Sequence, residues 1–205
     1  MTRVFAIAAA LALVVLVASL TVMTLMRGDD DQFAQCRAGA VAGGSQLGGP
    51  FTLVSETGET VTEADVIDRP TLIYFGFTNC DTVCSIDAAR NAVAIDILEE
   101  RGISVKPVFI SFDHERDTPE VLASYTDIIH PDMLGLTGSE EQIKDVTSAY
   151  RTYYSKLDGD DEFYQFEHLT FSYLTLPEYG FVDFFRREET PEAMADRVAC
   201  FAEAA

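Results

Sequence analysis

The sequence predicts a mixed α/β domain, with a central sheet and flanking helices, behind one N-terminal transmembrane helix. Three observations lead to this prediction. A long apolar run opens the chain at residues 4–26. Strand-like and helix-like segments then alternate between residue 71 and about residue 150. Two strands joined by a short turn, followed by a last helix, close the chain.

The apolar run is interrupted only by one serine and two threonines, and its 23 residues are long enough to cross a bilayer as a helix. A weak bias of basic residues places the N-terminus in the cytoplasm, and the rest of the chain then lies outside it. A cleaved signal peptide is the alternative. Its apolar part would be shorter and followed by a small-x-small cleavage site, which "TLMRGDD" does not contain. We therefore favour an uncleaved anchor.

Three segments follow from composition: an anchor at residues 1–27, a flexible tether at residues 28–49 and one domain at residues 50–205. All 34 acidic residues follow the anchor, against 12 basic ones, which gives a formal net charge of −22. This charge argues against nucleic acid and against anionic lipid head groups as partners. It is compatible with a basic protein partner, and equally with a soluble surface that repels other copies.

Within the domain, residues 71–77 and 105–112 have the β-branched and aromatic composition of buried strands. Between them, apolar residues recur at helical spacing at Ile86, Ala89, Val93 and Ile97, and Gly102 supplies a stop signal. This spacing predicts a helix between the two strands.

Further helices are indicated by Thr118-Pro119-Glu120, by a capping box from Ser139 to Gln142 after the strand "LGLT", and by Thr190-Pro191-Glu192. Residues 169–176 and 180–185 read as an antiparallel hairpin. Parallel βαβ units followed by a hairpin and a helix make a thioredoxin-like arrangement.

Two cysteines, Cys80 and Cys84, follow the first parallel strand, and His168 is predicted at the entry to an antiparallel strand. The carboxyl ends of parallel strands share an edge of the sheet with the start of an antiparallel strand. The three side chains can therefore meet there, although 84 residues separate Cys84 from His168.

The cysteine pair alone leaves three interpretations open: a copper site, a dithiol–disulfide oxidoreductase, or a structural disulfide. Adding His168 favours a metal, since two thiolates and an imidazole suit Cu(I), whereas zinc usually takes a fourth protein ligand in a closed site. A helix N-terminus stabilises the thiolate form, and Asp81 opposes that effect. His114 is expected to be an exposed residue rather than a fourth donor.

The segments "GFTNCDTVCSID", "ISFDHERDTPE" and "EHLTFSYLTLPEYGF", together with the anchored acidic layout, resemble the Sco (SenC) family over about residues 46–203. The resemblance implies a membrane-anchored, thioredoxin-like copper chaperone in the periplasm, held in the bacterial inner membrane. It implies copper ligation by Cys80, Cys84 and His168, and delivery to the binuclear copper site on subunit II of cytochrome c oxidase. A thiol–disulfide oxidoreductase, or a copper or redox sensor, using the same cysteine pair is the alternative.

The sequence departs from the family pattern at a few positions. Asp81 and Ser85 stand where the family has prolines, which predicts a looser loop, and Glu167 replaces the aspartate that precedes the histidine. Arg116 and Asp117 are predicted to form a pair that holds a loop near the site, with a solvated turn as the alternative.

The other two cysteines are Cys36, in the tether, and Cys200, in the last helix. Met194, Val198 and Phe201 mark the apolar stripe of that helix, and Cys200 lies well away from the centre of the stripe. In an oxidising compartment, a Cys36–Cys200 disulfide follows.

Overall fold

A computed structural model describes residues 2–26, 32–37, 39, 47–80, 83–159 and 163–205. The chain divides into two compact units, Met1–Ala34 and Gln35–Ala205. The first unit contains helix α1, Thr2–Met26. Within α1 the side chains of residue 5 and of residues 11–22 are described. Over the residues described, no helix combines the length and the hydropathy needed to span a membrane.

The tether predicted at residues 28–49 falls mostly outside the described residues, and the predicted division of the chain at residues 27 and 49 remains a prediction. Cys36 belongs to the second unit, where it is joined to Cys200 by a disulfide whose Cα atoms lie 5.6 Å apart. The disulfide inferred from the sequence is thus present in the structure.

The second unit is built on a seven-stranded sheet of β1 Thr52–Ser55, β2 Thr60–Thr62, β3 Thr71–Gly76, β4 Lys106–Ser111, β5 Leu134–Thr137, β8 Ser172–Leu176 and β9 Gly180–Phe185. The order across this sheet is β2-β1-β5-β4-β3-β8-β9. Strands β3, β4 and β5 are parallel, and β8 runs antiparallel to β3. The thioredoxin-like arrangement predicted from the sequence is confirmed.

Strand β3 lies near the middle of the sheet and is buried along its whole length, as its run of β-branched and aromatic residues predicts. The β1–β2 hairpin at one edge was not predicted from the sequence. It extends the sheet antiparallel to β5, with Val54 opposite Thr137 and Ser55 opposite Leu136.

Three helices of the second unit begin where the capping signals predict. Thr118 and Thr190 each cap a helix that starts with proline, and Ser139 forms a reciprocal capping box with Gln142. The helices of the second unit are α2 Glu63–Val66, which was not predicted, α3 Cys84–Glu100, α4 Pro119–Ile129, α5 Glu140–Ala149 and α6 Pro191–Ala204. In α6, Met194, Val198 and Phe201 are buried as expected.

The helix predicted after the two cysteines is α3, but the apolar residues that predict it do not form its buried face. Ile86 is 62% exposed and Val93 is 44% exposed, whereas Ala88 and Ile95 are buried. The face that α3 turns inward consists largely of small and polar residues, including Cys84, Asp87 and Asn91. Asn91 is satisfied there by hydrogen bonds with the Ser172 hydroxyl on β8. The spacing of the larger apolar residues therefore does not mark the inward face of α3, where polar residues such as Asn91 are buried through hydrogen bonds.

A second, two-stranded sheet pairs β6, Tyr154–Lys156, with β7, Phe166–His168. His168 ends β7 and lies four residues before β8. The prediction that it enters the strand of residues 169–176 is therefore corrected, since that strand begins only at Ser172. The β6–β7 hairpin packs on the core through Phe166, whose ring lies 5.2 Å from that of Phe77 and 5.1 Å from that of Phe112.

Candidate metal centre

The structure brings the three predicted side chains together at the carboxyl edge of β3. The Sγ atoms of Cys80 and Cys84 and a ring nitrogen of His168 all lie within 4.8 Å of one another. Cys84 is fully buried, while Cys80 and His168 are half-buried. Cys80 and Cys84 are not joined in a disulfide. The cluster is therefore protected on one side and reachable from solvent on the other.

The two cysteines occupy different positions at the start of α3. Cys84 is the first helical residue, and its backbone N–H donates to the Cys80 Sγ at 3.3 Å. The Cys80 sulfur thus caps the helix in place of Val83, which contributes no side-chain cap. Because the N-terminus of a helix carries a partial positive charge, this position favours negative charge on Cys80.

Cys84 has the opposite environment. Its interaction with the Cys80 sulfur and its burial both raise the pKa of the Cys84 thiol. Without a metal, the proton therefore stays on the buried sulfur. Asp81, predicted to oppose thiolate formation, lies outside the described residues, as does Thr82.

His168 presents its Nε2 atom to the thiol. The Nδ1 atom lies 2.9 Å from the backbone carbonyl oxygen of Leu169. A carbonyl oxygen only accepts hydrogen bonds, so Nδ1 carries the proton and Nε2 keeps a lone pair. Nε2 lies 3.4 Å from the Cys84 Sγ. The rings of Phe112 and Phe77 lie 5.1 Å and 6.1 Å from the imidazole and limit its rotation.

The residues next to His168 and the possible fourth donor take other roles. Glu167 is exposed, and the Nδ1 atom of His168 is held by the Leu169 carbonyl instead of a carboxylate. His114 is not in the metal-capable cluster identified among the described residues. It is half-buried and lines a cleft of about 350 Å³ with Phe112, Tyr154 and Phe166.

The predicted pair of Arg116 with Asp117 is wrong. Arg116 Nε lies 2.6 Å from the Asp113 carboxylate. Asp117 accepts hydrogen bonds from the backbone N–H and the hydroxyl of Thr78, at 2.9 and 2.6 Å, and from the Ser111 hydroxyl. Burial raises the pKa of Asp117. The loop near the site is thus held by a buried carboxylate and hydroxyl groups, a pattern that a search for opposite charges overlooks.

One buried carboxyl near the site was not predicted. Asp87 lies one turn after Cys84 and is 2% exposed. It accepts a hydrogen bond from the Tyr74 hydroxyl at 3.1 Å, and Arg187 Nε lies 3.8 Å away. Burial raises the pKa of Asp87, and Arg187 opposes that shift. Its position three residues after Cys84 was the available signal, but an aspartate in the first turn of a helix is usually exposed.

A second cluster of metal-capable groups, Asp96, Glu99 and His130, lies between α3 and the end of α4. The His130 Nδ1 accepts a hydrogen bond from the Asp132 backbone N–H at 3.1 Å, which places the proton on Nε2. That Nε2–H is 3.3 Å from the Asp96 carboxylate. Both ring nitrogens are occupied, so this cluster is a hydrogen-bonded contact between the two elements.

The first cluster has the chemistry of a soft metal site. Two sulfurs and one imidazole nitrogen, with the other ring nitrogen fixed by a backbone carbonyl, form a three-donor set that suits Cu(I). The thiols of Cys80 and Cys84, whose sulfurs lie within 4.8 Å of each other, are also able to exchange with a disulfide of another protein. The fold and this cluster define a thioredoxin-like protein with a dithiol–imidazole site at the edge of its sheet.

Comparison with known proteins gives the family. The SCO1/SenC family model matches residues 39–203, and the chain belongs to this family. It is 50% identical to Protein SenC of Rhodobacter capsulatus over 199 residues, which cover 97% of this chain and 90% of that protein. It is 41% identical to the mitochondrial SCO1 homolog 1 of Arabidopsis thaliana, covering 79% of this chain and 49% of that one.

Two solved structures show the same fold. The crystal structure of Arabidopsis thaliana ScoI with copper bound superposes with a TM-score of 0.72 at 40% identity, covering 77% of this chain and 99% of that one. Yeast Sco1 with copper bound gives a TM-score of 0.73 at 33% identity, covering 78% of this chain and 90% of that one.

Proposed function

We propose that this protein is a copper chaperone that holds copper on Cys80, Cys84 and His168 and delivers it to the binuclear copper site of cytochrome c oxidase. The convergence of these three soft donors within 4.8 Å, from segments far apart in the chain, carries the proposal. Membership in the SCO1/SenC family and the copper-bound relatives support it. Copper is here the cargo of the protein, and no turnover reaction is required.

The ligands differ in accessibility, which gives transfer a direction. Cys80 is half-buried and borne by a loop, whereas Cys84 is buried in the first turn of α3. Copper binding displaces the proton that Cys84 retains in the metal-free protein. During transfer, an incoming thiolate displaces Cys80 first and Cys84 last. A three-coordinate Cu(I) site allows such exchange without a costly coordination change.

The client and the location come from the sequence. Resemblance to the Sco family names subunit II of cytochrome c oxidase as the client. We infer that helix α1 anchors the chain in the inner membrane, because residues 4–26 are almost wholly apolar. The acidic domain would then lie in the periplasm. Retention of the chain in membranes after alkaline extraction, and its release when residues 1–27 are deleted, would test the anchor.

Metal analysis of the reduced chain, with variants at two histidines, tests copper binding. We expect one Cu(I) per chain. Losing an outer hydrogen-bond partner typically costs about 10–100-fold in metal affinity, so His168→Ala, which removes a ligand, should cost at least about a hundredfold. His114→Ala, at a half-buried histidine outside the cluster, is the matched control and should retain wild-type affinity. Equal affinities for all three proteins would remove His168 from the site.

A thiol–disulfide oxidoreductase is the second candidate, favoured by the contrast between the two cysteines. The half-buried Cys80 places its sulfur at the start of a helix, as an attacking thiolate does, and the buried Cys84 retains its proton, as a resolving thiol does. Cys80 would attack a client disulfide, Cys84 would resolve the mixed disulfide, and the client would leave as a dithiol. Reductase activity that survives His168→Ala would support this second role.

A further inference from the structure

The loop that joins β4 to α4 carries two buried carboxylates close to the site. Asp113 and Asp117 are each 1% exposed, in a chain whose acidic residues are mostly on the surface. Burying a carboxylate is unfavourable unless hydrogen bonds or a cation satisfy it. The partners of these two residues therefore show what the loop holds in place.

Asp117 holds the cysteine side of the site. One carboxylate oxygen accepts the Thr78 hydroxyl at 2.6 Å, and the other accepts the Thr78 backbone N–H at 2.9 Å together with the Ser111 hydroxyl. Thr78 lies two residues before Cys80, in the loop that leaves β3. Ser111 is the last residue of β4. The carboxylate thus fixes the start of the Cys80 loop to the end of the neighbouring strand.

Asp113 holds the histidine side. Its Oδ1 accepts the Tyr164 hydroxyl at 2.7 Å, and its Oδ2 pairs with Arg116, whose guanidinium lies 3.5 Å from the centre of the Tyr164 ring. Tyr164 is 2% exposed and contacts Phe166, two residues before His168, with ring centres 5.5 Å apart. The carboxylate is therefore connected to His168 through a tyrosine that anchors the β6–β7 hairpin.

We propose that the β4–α4 loop holds both sides of the site in position. Asp117 positions Cys80 through Thr78, and Asp113 positions His168 through Tyr164. This inference rests on the proposed copper site. Neither carboxylate belongs to the cluster of ligand atoms, so both act through the residues that they hold. Because both attachments start from one loop, the loop determines the separation between the Cys80 sulfur and the His168 imidazole.

The two connections differ in which ligand they reach, and a double-mutant comparison separates them. Cu(I) affinity of the whole chain is measured by competition with a chromophoric Cu(I) chelator. Tyr164→Phe removes only the hydroxyl and should weaken binding about 10–150-fold, as should Thr78→Val, since a hydrogen bond to a charged group such as a carboxylate contributes about 1.5–3 kcal/mol. In a His168→Ala background, the effect of Tyr164→Phe should disappear and that of Thr78→Val should remain.

A matched control excludes general destabilisation. Asp183 is another buried carboxylate, 3% exposed and paired with Arg197 on β9 and α6. Asp183→Asn should lower the midpoint of thermal unfolding and leave Cu(I) affinity within about twofold. Asp117→Asn should weaken copper binding by about 10–100-fold. If Asp117→Asn does not fold, Thr78→Val carries the same test, because it leaves the carboxylate in place.

The outcomes separate this inference from the proposed function. A wild-type chain that binds no copper overturns both. A chain that binds copper, but in which Tyr164→Phe weakens binding equally with and without His168, overturns the link between Asp113 and the histidine. Loss of the Thr78→Val effect in the His168→Ala background overturns the link between Asp117 and the cysteine loop. If Asp183→Asn weakens Cu(I) binding as much as Asp117→Asn does, both links are overturned.

Discussion

The disulfide between Cys36 and Cys200 is expected to be a large contributor to stability, although it lies outside the metal centre. The paired residues are separated by 164 positions, so the bond closes a loop that includes almost the whole second unit. In the chain-entropy model, a cross-link over a loop of this length raises the free energy of unfolding by about 5 kcal/mol, chiefly by restricting the unfolded chain. Replacing both residues by alanine should remove most of this contribution.

Thermal unfolding of the Cys36→Ala/Cys200→Ala double variant, compared with the wild type, measures the loss. For a domain of this size, 1 kcal/mol corresponds to about 2–4 °C, so we expect the midpoint to fall by about 10–20 °C. Copper affinity should not change. Thiol titration of the unreduced, denatured wild-type chain should find two reactive cysteines, Cys80 and Cys84. Four reactive thiols, or a variant that unfolds at the wild-type temperature, would contradict the reasoning.

Three further changes test the fold. Burial raises the pKa of Asp87 in the folded state above its unfolded value of 3.8. Ionising Asp87 therefore lowers the free energy of unfolding as the pH rises through this range, and the loss disappears as the pH falls toward 3.8. Asp87→Asn should therefore gain thermal stability relative to the wild type as the pH rises from 4 to 7. A difference in unfolding temperature that does not change with pH would contradict this reasoning. Gly135→Ala should lower the free energy of unfolding by about 1–3 kcal/mol, as measured with denaturant. The new Cβ would lie 2.7 Å from the Glu56 carboxylate and 3.0 Å from the Leu122 Cβ. An unchanged unfolding midpoint would refute this prediction. Ser139→Ala should cost about 1 kcal/mol through loss of the α5 cap, which the same unfolding curves would reveal.

The parts of the fold that follow strong local signals were predictable. The apolar strands at the centre of the sheet, the proline-started helices after Thr118 and Thr190 and the capping box at Ser139 all lie where the sequence places them. The inward face of α3 was not, because its buried residues are small or polar and the larger Ile86 and Val93 lie outside. The two short hairpins, β1–β2 and β6–β7, carry weak alternation and were missed.

The three donor residues of the candidate site were predictable, because topology brings the carboxyl end of β3 and the segment just before β8 to one edge of the sheet. The hydrogen bonds that hold the donor residues in place were not predictable. The proton on the Nδ1 of His168 is directed to a backbone carbonyl, which no side-chain pattern reveals. Asp117 is satisfied by hydroxyl groups and a backbone N–H, so a charge-pairing rule assigned it to Arg116 incorrectly.

X-ray absorption at the copper edge of the Cu(I)-loaded chain tests the proposed ligand set most directly. The account predicts a coordination shell of two sulfur atoms and one nitrogen, with the multiple-scattering pattern of an imidazole. In the His168→Ala variant, the imidazole pattern should vanish while both sulfurs remain. A wild-type spectrum without imidazole scattering, or with fewer than two sulfur ligands, would contradict copper binding by Cys80, Cys84 and His168.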